Sequence, residues 1–363
     1  MIIFAEDMAK QRDIRELSLE ALTAYMIEIG EKKFRAQQVY DWIWKKQVQS
    51  FEEMQNIQKG LRKKLAEAFT FKRVTIDASY KSKDGTVKYA FRLASGHEIE
   101  GVLIPTPKRL TACISSQAGC SLDCSFCATG LLPLMHNLKH YEIYDQVQIL
   151  REEAQKHFGR NLTNIVYMGM GEPLLNYRNV MGSIQMITSE AGLHMSPRRI
   201  TVSTSGISKM IKKLGEDEVP FEFALSLHAA DDEKRTQIMS INKTNDLESL
   251  REALLHFYDK TKTRVTYEYC LFRDFNDSLA DAKALATFAR IIPSKINLIE
   301  YNPVPESPFL PSTPAKTQAF VDYLESRKLI VNVRRSRGKD VNGACGQLAL
   351  REKNTIGNIY SSN

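Results

Sequence analysis

Cysteine is scarce in this chain, which has only six cysteines in 363 residues. So small a share excludes the disulfide-dense scaffolds of small secreted proteins. No apolar run approaches the roughly 18–20 residues that a membrane-spanning helix needs, and Glu6 and Asp7 interrupt the apolar start of the chain. We therefore expect no secretory signal, no membrane span and a cytoplasmic protein whose thiols stay reduced.

Internal repeats, low-complexity tracts and coiled-coil heptads are also absent from the sequence, which excludes solenoid and fibrous proteins. The composition, 43% hydrophobic and 26% charged, is that of an ordinary globular enzyme and excludes wholesale disorder. A chain of 363 residues can hold one large domain and a small one.

Positive charge is unevenly distributed. Residues 31–90 contain 14 Lys and Arg against 7 Asp and Glu, an excess equal to the +7 of the whole chain. A second basic group, Arg334, Arg335, Arg337 and Lys339, lies near the C-terminus. Such surfaces attract phosphate backbones, although runs of charge more commonly form a solvated helix face.

Three of the six cysteines, Cys120, Cys124 and Cys127, fall within eight residues. A structural zinc site takes four protein ligands, commonly as two pairs, and the sequence has no second pair. An iron–sulfur cubane held by only three cysteines leaves one iron open to a substrate or cofactor. The alternatives are buried apolar thiols and a disulfide framework, and the spacing favours a cluster over both.

The residues before about 105 predict helices followed by short strands. Apolar residues at helical spacing end at Gly30, and Asp84 and Gly85 predict a hairpin turn between strand-like runs. We therefore expect residues 1–95 to form a small helical accessory domain with a β-extension.

From about residue 110, strands and helices alternate, and the helices are predicted at Tyr141–Lys156, Val180–Glu190, Ser208–Leu214, Leu247–Tyr258 and Leu279–Arg290. Six strands are predicted, at Leu110–Ser115, Asn164–Met168, Arg199–Ser203, Phe221–Leu227, Arg264–Leu271 and Lys295–Tyr301. Six βα units indicate an α/β fold with a parallel sheet, and a closed barrel would need eight. We therefore expect a partial (β/α)6 barrel over residues 96–340, followed by a tail at 341–363.

The motifs that suggest chemistry all follow predicted strand ends, where α/β proteins bind ligands. They are the cysteine loop, Met168–Pro173, Ser203–Gly206, Ser226–His228 and Tyr301–Pro303. Each is weak alone, because a Gly-x-Gly turn is common and a single histidine is usually structural. Five of them on one face of one barrel predict an active site.

The cysteine loop on the first barrel strand resembles that of the radical S-adenosylmethionine (SAM) enzymes, and the wider pattern is similar to the RlmN-type RNA methyltransferases. The matching stretches follow the family's order and spacing. They are Phe34–Gln38, Cys113–Gln117, Cys120–Gly130, Met168–Asn176, Ser203–Gly206, Ser226–His228, Lys295–Ile299 and Ala344–Leu348.

The resemblance implies a role for each matching residue. Cys120, Cys124 and Cys127 hold a 4Fe–4S cluster, and two SAM molecules are used per turnover. Cys345 becomes methylated, Cys113 resolves the RNA adduct through a disulfide bond, and Glu100 accepts a proton. The SAM contacts implied are Gly171, Glu172, Ser203, Ser226, Leu227, His228 and Asn302.

The family's reaction is methylation of adenine carbon 2 in 23S ribosomal RNA and tRNA. The resemblance also implies an electron donor such as flavodoxin, and we expect a monomer whose basic residues 31–90 and 334–339 hold the RNA.

Two alternatives stay open: the Cfr-type relatives, which methylate carbon 8, and a non-catalytic RNA-binding protein with a structural metal. The residues after Glu172, Pro173 to Asn176, resemble those of the carbon 2 enzymes. Cys270, inside an apolar strand, is predicted to be core.

Overall fold

A computed structural model describes residues 11–305 and 307–349 of the chain. The start of the sequence, where we expect no secretory signal, and the end of the predicted tail, residues 350–363, lie outside this range. Within it, no helix is long and apolar enough to cross a membrane.

The N-terminal module consists of three helices, α1 (Leu19–Glu28), α2 (Phe34–Trp44) and α3 (Lys59–Ala68). Ser18 caps α1, its hydroxyl accepting a hydrogen bond from the Ala21 N–H, as serine commonly does at this position. Two-residue strands, Arg12–Asp13 and Phe69–Thr70, pair beside them.

Buried ion pairs fix this module to the barrel. Arg15 is 1% exposed and contacts Asp13 at 2.8 Å and Asp145 of the first barrel helix at 2.7 Å. Arg73 binds the same Asp145 carboxylate at 3.1 Å. Removing one partner of a buried ion pair costs about 3–5 kcal/mol because the other charge stays buried. The basic helices are therefore held firmly against the barrel.

Ten strands form the main sheet and lie in it in chain order. They are β1 (Thr75–Lys81), β2 (Val87–Arg92), β3 (Glu98–Pro105), β4 (Leu110–Cys113), β5 (Asn164–Tyr167), β6 (Ile200–Thr204), β7 (Glu222–Ser226), β8 (Val265–Leu271), β9 (Ser294–Glu300) and β10 (Val331–Arg334).

The sheet has an antiparallel part and a parallel part. Strands β1 to β4 pair antiparallel, and β4 to β10 pair parallel. The β1–β2 turn has Gly85 at φ 88°, as predicted. All six predicted barrel strands are present, and the predicted α/β partial barrel is confirmed. A seventh parallel strand, β10, follows the sixth βα unit.

The helices of the barrel lie between its strands. They are α4 (His140–Phe158), α5 (Tyr177–Thr188), α6 (Ser208–Glu216), α7 (Asp232–Ile238), α8 (Leu247–Thr261), α9 (Leu279–Ala289) and α10 (Pro314–Ser326). Helices α7 and α10 were not predicted. Helix α7 is only seven residues long and largely charged, so it lacks the apolar stripe that reveals a helix in a sequence.

Candidate active site

A cavity of about 440 Å³ lies at the carboxyl ends of the parallel strands. Its walls come from the cysteine loop, the ends of β4 to β10 and the tail. Ten of the thirteen predicted site residues line it: Cys113, Cys120, Cys124, Cys127, Gly171, Glu172, Ser203, Ser226, His228 and Cys345. Glu100, Leu227 and Asn302 lie behind the wall.

The cysteine loop presents three free thiols, Cys120, Cys124 and Cys127, to this cavity. Gly119, at φ 76°, allows the loop to begin, since a Cβ there would lie 1.9 Å from the Pro133 carbonyl oxygen. The loop closes on itself as the Cys127 N–H donates to the Cys124 carbonyl at 3.1 Å.

The electrostatics of this loop suit a metal centre. Burial raises the pKa of Cys120 to about 11, and the negative charge of Cys127 adds to this shift, whereas a hydrogen bond from the Leu122 N–H opposes it. Burial and the two neighbouring cysteines raise the pKa of Cys124 well above its usual value. Positive charge offsets such mutual repulsion of thiolates, and a coordinated thiol is deprotonated outright. Among the described residues, no three His, Cys, Asp or Glu side chains form a single-ion site. The three thiols fit an iron–sulfur cluster, in which each cysteine binds its own iron.

Glu172 places a carboxylate in the cavity wall. It is 3% exposed and accepts hydrogen bonds from the Ser205 N–H and hydroxyl, both at 2.8 Å, and from the Leu174 N–H at 3.0 Å. Burial raises the pKa of Glu172, and these hydrogen bonds oppose that shift. A fixed carboxylate of this kind can accept hydrogen bonds from an ammonium group of a ligand.

Ser203, Ser226 and His228 follow one another around the same wall. The two serine hydroxyls are 3.2 Å apart. Nδ1 of His228 accepts a hydrogen bond from the Cys270 N–H at 3.0 Å, which assigns the ring proton to Nε2. Burial, with the nearby Arg235 charge, lowers the pKa of His228 to about 3. The imidazole is therefore neutral at physiological pH.

We expect the neutral His228 to make folding pH-dependent. Its folded pKa, about 3, lies below the ordinary 6.5, so below pH 6.5 the unfolded chain binds a proton that the folded chain does not. This group should cost stability as the pH falls from 6.5 towards 3, by about 1.4 kcal/mol per pH unit. In His228→Gln, the unfolding free energy should fall less steeply with decreasing pH than in the parent, by about 1.4 kcal/mol per pH unit. Urea unfolding between pH 4 and 7 measures both slopes. Equal slopes in parent and variant would contradict this assignment.

Cys113 and Cys345 both face the cavity, from β4 and from the tail respectively. Cys113 is buried, and Cys345 is surrounded by protein but keeps an accessible surface towards the cavity. Burial raises the pKa of Cys113 to about 12 and that of Cys345 to about 11. The disulfide bond expected between them is not formed in the structure, in which all six cysteines are free thiols. Cys270, predicted as core, is buried and also lines the cavity.

Two charged residues between these thiols were missed as site residues. Glu268 on β8 is 2% exposed, and its carboxylate contacts Arg334 of β10 at 3.2 Å. The Arg334 charge acts on both Cys113 and Cys345, lowering their pKa values against the effect of burial. Sequence analysis placed Arg334 in a basic surface group, because β10 was not recognised as a strand ending at the cavity.

The three predicted residues behind the wall act on it through the backbone. The Asn302 side-chain amide donates to the Cys345 carbonyl at 3.1 Å. The Leu227 N–H donates to the Glu268 carbonyl at 3.0 Å. The Glu100 carboxylate is 3.2 Å from the buried Lys88 ammonium and accepts a hydrogen bond from the Ala349 N–H at 2.9 Å. Glu100 thus holds the tail rather than facing the cavity.

Comparison with known proteins identifies the class. Residues 114–286 match the radical SAM superfamily, and residues 12–70 match the ribosomal RNA large subunit methyltransferase N-terminal domain. The structure of a radical SAM methyltransferase from Sphaerobacter thermophilus superposes with a TM-score of 0.86 and 37% identity, covering 93% of this chain and 99% of that one. The fold and the three-cysteine loop are those of a radical SAM enzyme, a class that uses a 4Fe–4S cluster and SAM.

Close relatives identify the family. The probable dual-specificity RNA methyltransferases RlmN of Cytophaga hutchinsonii and Flavobacterium psychrophilum are 53% and 51% identical to this chain over 343 residues. These matches cover 94% of this chain and 94% and 99% of the two relatives. The chain belongs to the RlmN family of RNA methyltransferases, as the resemblance indicated.

Proposed function

We propose that this protein methylates carbon 2 of adenine in 23S ribosomal RNA and tRNA, in the cytoplasm, through a methylated Cys345 and a covalent protein–RNA adduct. The observation that carries the proposal is the presence of Cys113 and Cys345 in one cavity with the three loop cysteines. Direct displacement of a methyl group from one donor needs no thiol, whereas this cavity contains the pair Cys113 and Cys345 beside the three loop cysteines.

The cavity residues divide into two groups in this proposal. Cys120, Cys124 and Cys127 would hold the 4Fe–4S cluster, which would supply the electron that cleaves SAM and so starts radical chemistry. The second group would hold SAM: Gly171, Glu172, Ser203, Ser226 and His228 of the cavity wall, with Leu227 and Asn302 behind it. Neutral His228 and the two serine hydroxyls donate or accept hydrogen bonds without adding charge to the site.

The thiol pair performs the transfer. Carbon 2 of adenine lies between two ring nitrogens and is too electron-poor to attack a sulfonium methyl. The Cys345 thiolate takes that methyl group instead, and the first SAM leaves as its thioether. Reductive cleavage of a second SAM would supply the radical that removes one hydrogen atom from this methyl group, and the carbon then bonds to the base. Loss of the ring proton and return of one electron to the cluster would leave a closed-shell adduct. The Cys113 thiolate then attacks the Cys345 sulfur, so that a disulfide replaces the carbon–sulfur bond, and the released carbon takes up a proton to become the methyl group. Glu100 accepts the ring proton once the tail moves and its contact with the Ala349 N–H is broken, and external reductant, such as that from flavodoxin, restores the thiols.

Arg334 assists both thiols in this scheme. Each must be a thiolate to act as a nucleophile, yet burial raises both pKa values. The Arg334 guanidinium, paired with Glu268 at 3.2 Å, favours the charged form of each cysteine, while the Glu268 carboxylate opposes it at Cys345. Arg334, expected to hold RNA, is therefore assigned here to the cavity, which Arg335 and Arg337 also line.

Anaerobic incubation with 23S ribosomal RNA or tRNA, reductant and labelled SAM tests the proposal. We expect label in adenosine of both RNAs, and none when reductant is omitted. Methylation that continues without reductant would contradict a radical route.

The basic N-terminal module is the proposed RNA-holding surface, with the protein acting as a monomer. Lys63 and Lys64 on α3 are exposed, and their ion pairs with Glu67 and Glu31 are long, 3.9 and 4.0 Å. Such pairs contribute little to stability, so charge reversal should leave the fold intact.

We expect the double variant Lys63→Glu/Lys64→Glu to bind RNA about tenfold more weakly, with the salt slope of the affinity reduced by roughly 2. Filter binding at several salt concentrations measures both quantities. The affinity for SAM should be unchanged. The matched control is Lys260→Glu/Lys283→Glu, on exposed positions of α8 and α9. Equal effects of the two double variants would remove the assignment.

A further inference from the structure

The segment of residues 338–349, called the tail from here on, and the β1–β2 hairpin hold each other through two carboxylates. Asp84 of the hairpin turn accepts a hydrogen bond from the Gly338 N–H at 3.0 Å. In the reverse direction, Asp340 of the tail accepts from the Ser82 hydroxyl at 2.5 Å and from the Lys83 N–H at 3.1 Å. Each segment thus supplies one carboxylate to donors of the other, and we call this pair of contacts the hairpin clamp.

The clamp depends on close backbone approach. Gly338 has φ 68°, and a Cβ on it would lie 2.9 Å from the Thr86 side chain, so glycine is required by both space and conformation. The Gly343 N–H donates to the Gly338 carbonyl at 2.8 Å, which folds the tail back on itself. The turn between them carries Asp340.

Both carboxylates are ionised at neutral pH. Partial burial opposes ionisation of Asp84, but hydrogen bonds from Thr86, Gly338 and Ser82 leave its pKa below the ordinary value. Hydrogen bonds from Ser82 and Lys83 lower the pKa of Asp340. Hydrogen bonds to an ionised acceptor are about twice as strong as neutral ones.

Beyond the clamp, a second set of anchors holds the tail to the cavity wall. The Ala128 N–H donates to the Gly346 carbonyl and the Thr129 hydroxyl to the Leu348 carbonyl, both at 2.7 Å. These two donors immediately follow the last loop cysteine. Cys345 therefore lies between the hairpin clamp on one side and the cysteine loop on the other.

We propose that Asp84 and Asp340 are positioning residues that keep Cys345 in the cavity. The hairpin clamp fixes where the tail begins, and the anchors on the cysteine loop fix where it ends. This inference rests on the proposed function for its catalytic consequence, but the placement of the tail can be measured without any methylation.

The test uses the reconstituted full chain and its Asp340→Ala, Asp340→Asn and Asp84→Ala variants. Hydrogen exchange of the amides of residues 338–349 and iodoacetamide labelling of Cys345, both followed by peptide mass spectrometry, measure tail placement. We expect the exchange of these amides and the labelling of Cys345 to be about tenfold faster in Asp340→Ala. This is the factor expected when hydrogen bonds to a charged group are lost. Asp340→Asn keeps one acceptor and should restore most of the protection.

Matched controls separate placement from folding and from the proposed chemistry. Asp77→Ala removes a carboxylate of β1 that binds Arg92, and should leave Cys345 labelling unchanged. At saturating SAM, methylation of Cys345 should slow in Asp340→Ala while the KM for RNA stays the same. If Asp340→Ala and Asp84→Ala show parental exchange and labelling, or match Asp77→Ala, the clamp does not position the tail. If labelling changes as expected but Cys345→Ala still methylates RNA, the proposed function fails and the clamp stands.

Discussion

Cys345→Ala should transfer no methyl group to RNA above background, even with a fully loaded cluster and intact SAM binding. In our account every transferred methyl group passes through the Cys345 sulfur, and alanine has no atom that can carry it. The measurement is label transfer from SAM to 23S ribosomal RNA and tRNA under reducing anaerobic conditions.

Cys270→Ala is the matched control for this loss. Cys270 is a buried thiol of the same cavity, yet its backbone N–H rather than its sulfur makes the contact to His228. This variant should retain methyl transfer. Residual transfer by Cys345→Ala beyond background would rule out the methyl-carrier role.

Cys113→Ala should accumulate a covalent adduct between protein and RNA instead of free methylated RNA. The variant can still load Cys345 and join it to the base, but no thiolate attacks the Cys345 sulfur to release the product. A band that resists denaturation and disappears on nuclease treatment, with its RNA linked at Cys345 by peptide mass spectrometry, is the expected result.

Cys345→Ala/Cys113→Ala serves as the control for that adduct and should form none. Normal multiple turnover by Cys113→Ala would show that another group releases the product.

The barrel could be predicted from the sequence because its strands are apolar and buried. Strand β8, for example, is buried at all seven positions, and its valine, threonine and tyrosine residues are of the β-branched and aromatic types that favour strands. The cavity residues could be predicted because they follow these strands, and parallel strands bring their carboxyl ends to one face.

Strand β10 could not be predicted in the same way. It is four residues long and mostly exposed, and nothing in Val331 to Arg334 distinguishes it from a loop. Missing it also hid the pairing of Arg334 with Glu268, since that contact joins positions 66 residues apart. Contacts of this kind depend on sheet order, which local patterns do not record.

The position of Glu100 shows a further limit of motif reasoning. The family pattern identifies Glu100 but not what its carboxylate contacts. In this structure the carboxylate holds the tail by accepting a hydrogen bond from the Ala349 N–H. Movement of the tail would therefore remove this contact of Glu100 and shift Cys345 at the same time, while the ion pair of Glu100 with Lys88 does not involve the tail. In the proposed function, this hydrogen bond would link tail placement to proton acceptance by Glu100.

The most direct test of the account is mass spectrometry of nucleosides from RNA methylated with SAM that carries a trideuterated methyl group. We expect 2-methyladenosine whose new methyl group keeps two of the three deuterium atoms, because one leaves while the group is bound to Cys345. Retention of all three, or methylation at carbon 8, would contradict it.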